Sequence, residues 1–369
     1  MRWHASTALV ATIPTRIHRA RPSLRTMASC FSPESDASNV NAYLDARVNT
    51  VVTPAWLASN TDRDDVKVLD CSWYLPNAGR DGVAEHASGP RVSNARYFDV
   101  DEISDRSSPL PHMMPSSTQF AAACDALGIK NSDVVVCYDG AGLFSAARGW
   151  FMFRAFGHEN VAVLDGGAPA YEKAGYPMDV DVIEDMAFVS AATIASDAVA
   201  NAGTTVTSTA YKPSQTPVAA GFVFTKDDVL ARCIPRSDAF SSEPAEFTLV
   251  DARPRARWAG EKPEPRPGVR KGRVPSSKCV PFVSLLNDDG TFKSKKSIIE
   301  MFGASGVDIL NEPVVFSCGT GVTACVLALG AAFAGRSRDM MTPLYDGSWS
   351  EWGSEGSGCP VDASPPLDC

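Results

Sequence analysis

The sequence predicts an α/β protein made of two similar domains in tandem, each a mainly parallel sheet with helices on both faces. Three observations carry that prediction. First, from Val51 onward the chain reads twice. The stretch 66–70, ending in Asp70, returns as 247–251, ending in Asp251; 133–139 returns as 312–318, and 163–167 as 343–348. The spacing is kept, with 95 residues from Asp70 to Asp165 and 95 from Asp251 to Asp346, so the two copies share one architecture. Second, strand-like runs alternate with helical stretches at 116–127, 146–156 and 322–333, the pattern of a parallel-centred sheet. Third, residues 313–325 read as a buried strand, a cysteine-led turn and an apolar helix, and ligands of such sheets bind in the loops after strand C-termini.

In chain order, residues 1–33 stand apart. They hold Arg2, Arg16, Arg19, Arg21 and Arg25 and no acid before Glu34, with Ser, Thr and Ala filling much of the rest. This is the composition of a transit peptide, read here as mitochondrial with a plastid address as the alternative; Met27 offers a start for a cytosolic form. The first domain is expected over 50–180. Residues 189–220, rich in Ala, Thr, Ser and Pro, read as a linker with one helical turn near 195–200. The second domain is expected over 221–358, with a mobile tail beyond Gly358.

Composition narrows the function. The net charge is −9, and without the five leader Arg the remainder carries −14, which argues against a nucleic-acid partner. No apolar run reaches membrane-spanning length. Ten Cys without a Cys-x-x-Cys pair and five His favour neither a zinc site nor a secreted disulfide scaffold. Neither metal nor organic cofactor is expected.

The chemistry gathers at Cys318-Gly319-Thr320-Gly321-Val322-Thr323-Ala324. Val314, Val315 and Phe316 form the strand. Gly319 and Gly321 leave the backbone free to aim successive N–H groups at one point. The Cys318 thiol then lies in a cup of amides at a helix N-terminus, an environment that favours thiolate over thiol. In the first copy Asp139 holds the matching position. A carboxylate cannot carry sulfur, so that copy is expected to be catalytically silent.

The seven-residue loop resembles the active-site loop of the rhodanese superfamily. Its Cys-Gly-Ser/Thr-Gly-Val-Thr form is similar to that of 3-mercaptopyruvate sulfurtransferases; thiosulfate sulfurtransferases typically carry two basic residues where Gly319 and Thr320 stand. The resemblance implies two rhodanese-like domains over about 50–358 and a persulfide on Cys318. It implies 3-mercaptopyruvate as sulfur donor and a thiol acceptor such as thioredoxin, or cyanide. Within the loop, Gly319, Gly321, Val322 and Thr323 shape the substrate cradle, and the Thr320 hydroxyl serves a Cys-Ser/Thr-Asp proton relay.

Supporting motifs lie in both copies. Between Arg253 and Arg273 stand eight Lys or Arg and two acids, a cationic run suited to gripping a carboxylate. The family resemblance assigns Arg257 and Arg266 to the substrate carboxylate and carbonyl. It places Asp101, catalytic, and His112, substrate-binding, across the domain cleft. Turns at Gly89-Pro90-Arg91 and Gly272-Arg273-Val274-Pro275 depart from the family's usual Gly-His-Ile-Pro-Gly-Ala. Two rival readings remain. A cysteine phosphatase needs Arg six residues after the cysteine, where Ala324 stands. A non-catalytic binding module would lack the nucleophile, as the first copy does and the second does not.

Overall fold

The computed structural model describes residues 50–202, 209–237, 242–338, 340 and 342–365. The leader, residues 1–33, lies outside them. Strands β1 (Val51–Val52), β2 (Val66–Asp70), β3 (Arg96–Tyr97), β4 (Val134–Tyr138) and β5 (Val161–Leu164) form one parallel sheet in the order β1-β5-β4-β2-β3. Strands β6 (Val223–Phe224), β7 (Thr248–Asp251), β8 (Lys278–Cys279), β9 (Val314–Ser317) and β10 (Leu344–Tyr345) form a second, in the order β6-β10-β9-β7-β8. Adding five to each strand number of the first order gives the second. The repeat legible in the sequence is therefore a repeat of topology.

The central strands β4 and β9 are buried along their whole length, which is why both read as unbroken apolar runs. Each ends beside an aspartate-terminated neighbour: Asp70 pairs with Tyr138 and Asp251 with Ser317. The next residues, Asp139 and Cys318, thus emerge at equivalent points at the C-terminal edges of the two sheets.

Helices α1 (Ser117–Ala126), α2 (Ala146–Ala155), α3 (Ala191–Ala202), α4 (Ala324–Ala334) and α5 (Ser348–Trp352) matter most here. Ser116 starts α1 through a capping box with Gln119, satisfying amides that a helix N-terminus leaves open. Helices α2 and α4 pack against each other. One hydrophobic cluster runs through that contact, including Phe151 and Met152 of the first copy and Val326 and Leu329 of the second. The two copies share a core.

Three expectations need correction. The apolar helix starts at Ala324 rather than Val322, because Gly321 and Val322 are still turning around the cysteine. The segment read as a linker holds the three-turn helix α3, packed on α1; its Ala-rich sequence has high helix propensity and small side chains for close approach. Further on, Ala210 and Tyr211 donate backbone N–H groups to the Asp125 carboxylate at 2.8 and 2.7 Å. The tail beyond Gly358 is pinned as far as Ser364. Trp352 Nε1 donates to the Pro360 carbonyl at 2.7 Å, and Arg273 exchanges two backbone hydrogen bonds with Asp362.

Candidate active site

Cys318 follows β9 directly and is buried, with 1% exposure. The Gly321 N–H donates to its Sγ at 3.1 Å. Of the two loop glycines, only Gly321 takes a left-handed backbone, φ 82°; Gly319 does not, contrary to the expectation that both need that freedom. A Cβ built on Gly319 would lie 3.5 Å from Arg257 Nη2, an ordinary contact, which sets that guanidinium beside the loop. Thr320 and Val322 are buried, and Thr323 is the N-cap of α4.

The first turn of α5 holds the loop from behind. Ser348 Oγ accepts the Cys318 N–H at 3.2 Å and donates to the Tyr345 carbonyl at 2.8 Å. Ser350 donates to the Gly319 carbonyl twice, through N at 2.9 Å and Oγ at 2.8 Å. Neither serine was singled out by sequence reasoning, although both follow the repeated Asp-Gly that ends the second copy.

The first copy shows what such a cradle binds. The Asp139 carboxylate accepts N–H groups from Ala141, Phe144 and Ala146 at 2.9, 2.8 and 2.8 Å. Burial raises its pKa against the pull of those amides. The loop after the central strand is thus an anion cup, filled in the first copy by its own carboxylate.

The basic run is less free than its sequence implies. Arg253 is buried, bound to Asp251 and Glu264, and stacked 4.3 Å over the Trp349 ring. Arg273 pairs with Asp362 and lies 4.4 Å over Trp258. Both are structural cations whose charge is already met. Arg257 shares the Glu264 carboxylate with Arg253, and its side chain keeps 24% exposure. Arg266 makes no ion pair among the described residues, and it lines a cleft of about 600 Å³.

That cleft lies between the copies. Asp101, Asp105 and His112 line it from the first, Arg266, Ser350 and Ser354 from the second. Asp101 accepts from Trp73 Nε1 at 3.2 Å. Burial pushes its carboxyl up, but the His112 ring, Trp73 and Arg106 together outweigh this and hold it below the usual range. His112 Nδ1 lies 3.0 Å from Asp101 Oδ1, yet the pair is not aligned as a hydrogen bond. Among the described residues both ring nitrogens are buried without an aligned hydrogen-bond partner, with the Asp101 carboxylate as the charge facing Nδ1. Among the described residues Thr320 makes no hydrogen bond to Cys318 or Asp101, so the three residues of the expected relay are not joined.

Two further buried thiols of the second copy are poorer candidates for the nucleophile. Burial pushes Cys325 and Cys279 up to about 12, against opposing arginines. Among the described residues no group of His, Cys, Asp and Glu is placed to hold a metal ion, and no helix is long and apolar enough to cross a membrane.

A cysteine at the C-terminal end of a parallel strand, with a loop amide on its sulfur and arginines beside its loop, defines a thiol-dependent group-transfer enzyme. A rhodanese-like domain model matches residues 53–174. The chain is 41% identical over 307 residues to thiosulfate/3-mercaptopyruvate sulfurtransferase 1, mitochondrial, of Arabidopsis thaliana, covering 83% of this chain and 76% of that protein. It is 36% identical over 308 residues to 3-mercaptopyruvate sulfurtransferase of Rattus norvegicus, covering 82% and 91%. The crystal structure of the Escherichia coli 3-mercaptopyruvate sulfotransferase SseA superposes with a TM-score of 0.63 at 29% identity, covering 82% of this chain and 100% of that one. The chain belongs to the 3-mercaptopyruvate sulfurtransferase family of rhodanese-like enzymes.

Proposed function

We propose that the chain moves sulfur from 3-mercaptopyruvate to a thiol acceptor by way of a persulfide on Cys318. The Cys318 thiolate attacks the donor sulfur, and an S–S bond forms as the S–C bond breaks. The electron pair of that bond passes to carbon as the enolate of pyruvate, which takes a proton to give pyruvate. An acceptor thiolate then attacks the outer sulfur, carries it away and returns Cys318 as thiolate. A small thiol protein such as thioredoxin, or cyanide, fits this second step.

Residue roles follow the chemistry. Arg257, beside Gly319, and Arg266, in the cleft, grip the donor's carboxylate and carbonyl. Asp101 and His112 face the donor across the cleft, and Thr320 passes the proton. The amides of Gly321 and its neighbours hold the sulfur anion. The observation that carries the reading is the Gly321 N–H on Cys318 Sγ, in a loop whose first-copy counterpart already cups a carboxylate. The first copy, with Asp139 in place of the nucleophile, acts as the far wall of the cleft. Residues 1–33 are assigned as a mitochondrial address on their Arg-rich, acid-free composition.

Donor competition tests the reading. Pyruvate and a transferred sulfur should form faster from 3-mercaptopyruvate than thiocyanate forms from thiosulfate and cyanide. A preference for thiosulfate would assign the chain to the other donor, and turnover with neither would remove the sulfurtransferase reading.

A further inference from the structure

The first copy reaches under the reactive loop. Arg148, on α2, is buried with 1% exposure. Its Nη1 donates to Asp346 Oδ1 at 2.9 Å, and its Nη2 donates to the His112 carbonyl. The other Asp346 oxygen accepts the Met114 N–H at 2.7 Å. Asp346 immediately follows β10, two residues before Ser348, whose hydroxyl holds the Cys318 amide. Thus two groups of the first copy, the Arg148 guanidinium and the Met114 N–H, grip one carboxylate of the second, and the same guanidinium ties it to the His112 carbonyl.

Gly321 rests on this knot. A Cβ there would come within 3.1 Å of the Asp346 carbonyl and 3.3 Å of Arg148 Nη1. The residue whose N–H holds the reactive sulfur is therefore packed against the guanidinium and its partner. A buried arginine with an anion on one side carries charge that little water can screen.

We propose that Arg148 is a positioning residue for sulfur transfer: by clamping Asp346 and the His112 carbonyl it fixes the Cys318 loop from the opposite domain. The silent copy is then a working part of the site as well as a wall. The proposal deepens the sulfurtransferase reading and rests on it for its kinetic arm only.

The test compares the full chain with Arg148→Met and Arg148→Lys, the second keeping the charge but not the two-ended fork. Three readouts are taken: kcat and KM for 3-mercaptopyruvate, Tm, and the rate at which iodoacetamide alkylates Cys318, located by peptide mass. For Arg148→Met, kcat should fall about tenfold to a hundredfold, since small misplacements of reacting groups cost that much, while KM moves by less than about threefold; the alkylation rate should fall with kcat because the Gly321 N–H no longer favours the thiolate. Arg148→Lys should recover part of both losses. A folded Met variant that keeps wild-type kcat and alkylation, with only Tm lowered, would show Arg148 to be a purely structural tie and overturn the proposal. Should the Met variant not fold, Arg148→Lys decides: both rates down about threefold or more support positioning, and wild-type rates overturn it. If wild-type protein turns over neither donor, the sulfurtransferase reading fails, while the alkylation arm still tests the clamp.

Discussion

The Gly321 N–H points at the Cys318 sulfur across 3.1 Å, and the backbone that aims it requires φ 82°. A side chain at 321 is strained by that φ, at roughly 1–2 kcal/mol, and it meets Asp346 and Arg148 as well. Gly321→Ala should lower kcat/KM by about tenfold or more, with the loss mainly in kcat, because the donor to the sulfur anion is displaced. Steady-state kinetics beside Tm checks this; unchanged kcat in a folded variant would show that the amide does not bear on the chemistry.

Arg257 and Arg266 should separate in stability and agree in kinetics. Each Ala variant should raise KM for 3-mercaptopyruvate, since losing a charge-assisted bond costs about 1.5–3 kcal/mol, or roughly tenfold to a hundredfold in kcat/KM. Only Arg257→Ala should also lower Tm, because it leaves the buried Glu264 carboxylate with Arg253 alone. Wild-type kcat/KM in both variants would reassign the pair to the solvated surface.

Much of this site is legible in the sequence because its signals are local. A β-branched run, a cysteine, two glycines and an Ala-rich helix lie within one short stretch, and the matched spacing of the two copies carries over into identical strand order. What escaped notice is long-range. Arg148 sits in an apolar helix of the first copy, 198 residues from Asp346, and sequence spacing gives no sign that they meet. The basic run misleads in part for the same reason, since Arg273 meets Asp362 across 89 residues, whereas Arg253 is held by acids close by in the chain. Arg253 and Arg273 read as free cations until their partners Asp251, Glu264 and Asp362 are in place. The helix α3 was understated because Ala, Ser and Thr signal a linker by composition, whereas packing against α1 decides its structure.

Donor choice should follow positions 319 and 320. Gly319 does not take a left-handed backbone, and among the described residues a Cβ there meets only Arg257 Nη2, at an ordinary 3.5 Å, so a longer side chain can be built there. Gly319→Arg combined with Thr320→Lys should raise the ratio of thiosulfate to 3-mercaptopyruvate activity by adding charge for a dianion. Thr320→Ser, which keeps the hydroxyl, should leave mercaptopyruvate preferred. An unaltered donor ratio in the double variant would remove these two positions from the specificity argument.

The first copy should stay silent even with a thiol in place. Asp139→Cys in a Cys318→Ser background should show no turnover, since Arg80, which borders that loop at the Gly140 carbonyl, is held by Glu85. Activity restored by Asp139→Cys would mean that the nucleophile alone separates the copies.

The most direct measurement is the intact and peptide mass of the protein after brief exposure to 3-mercaptopyruvate without acceptor. The gain of one sulfur atom should appear on the peptide carrying Cys318, disappear when a thiol acceptor is added, and be absent from a folded Cys318→Ser variant. Sulfur found instead on Cys325 or Cys279, or turnover retained by Cys318→Ser, would contradict a Cys318 persulfide.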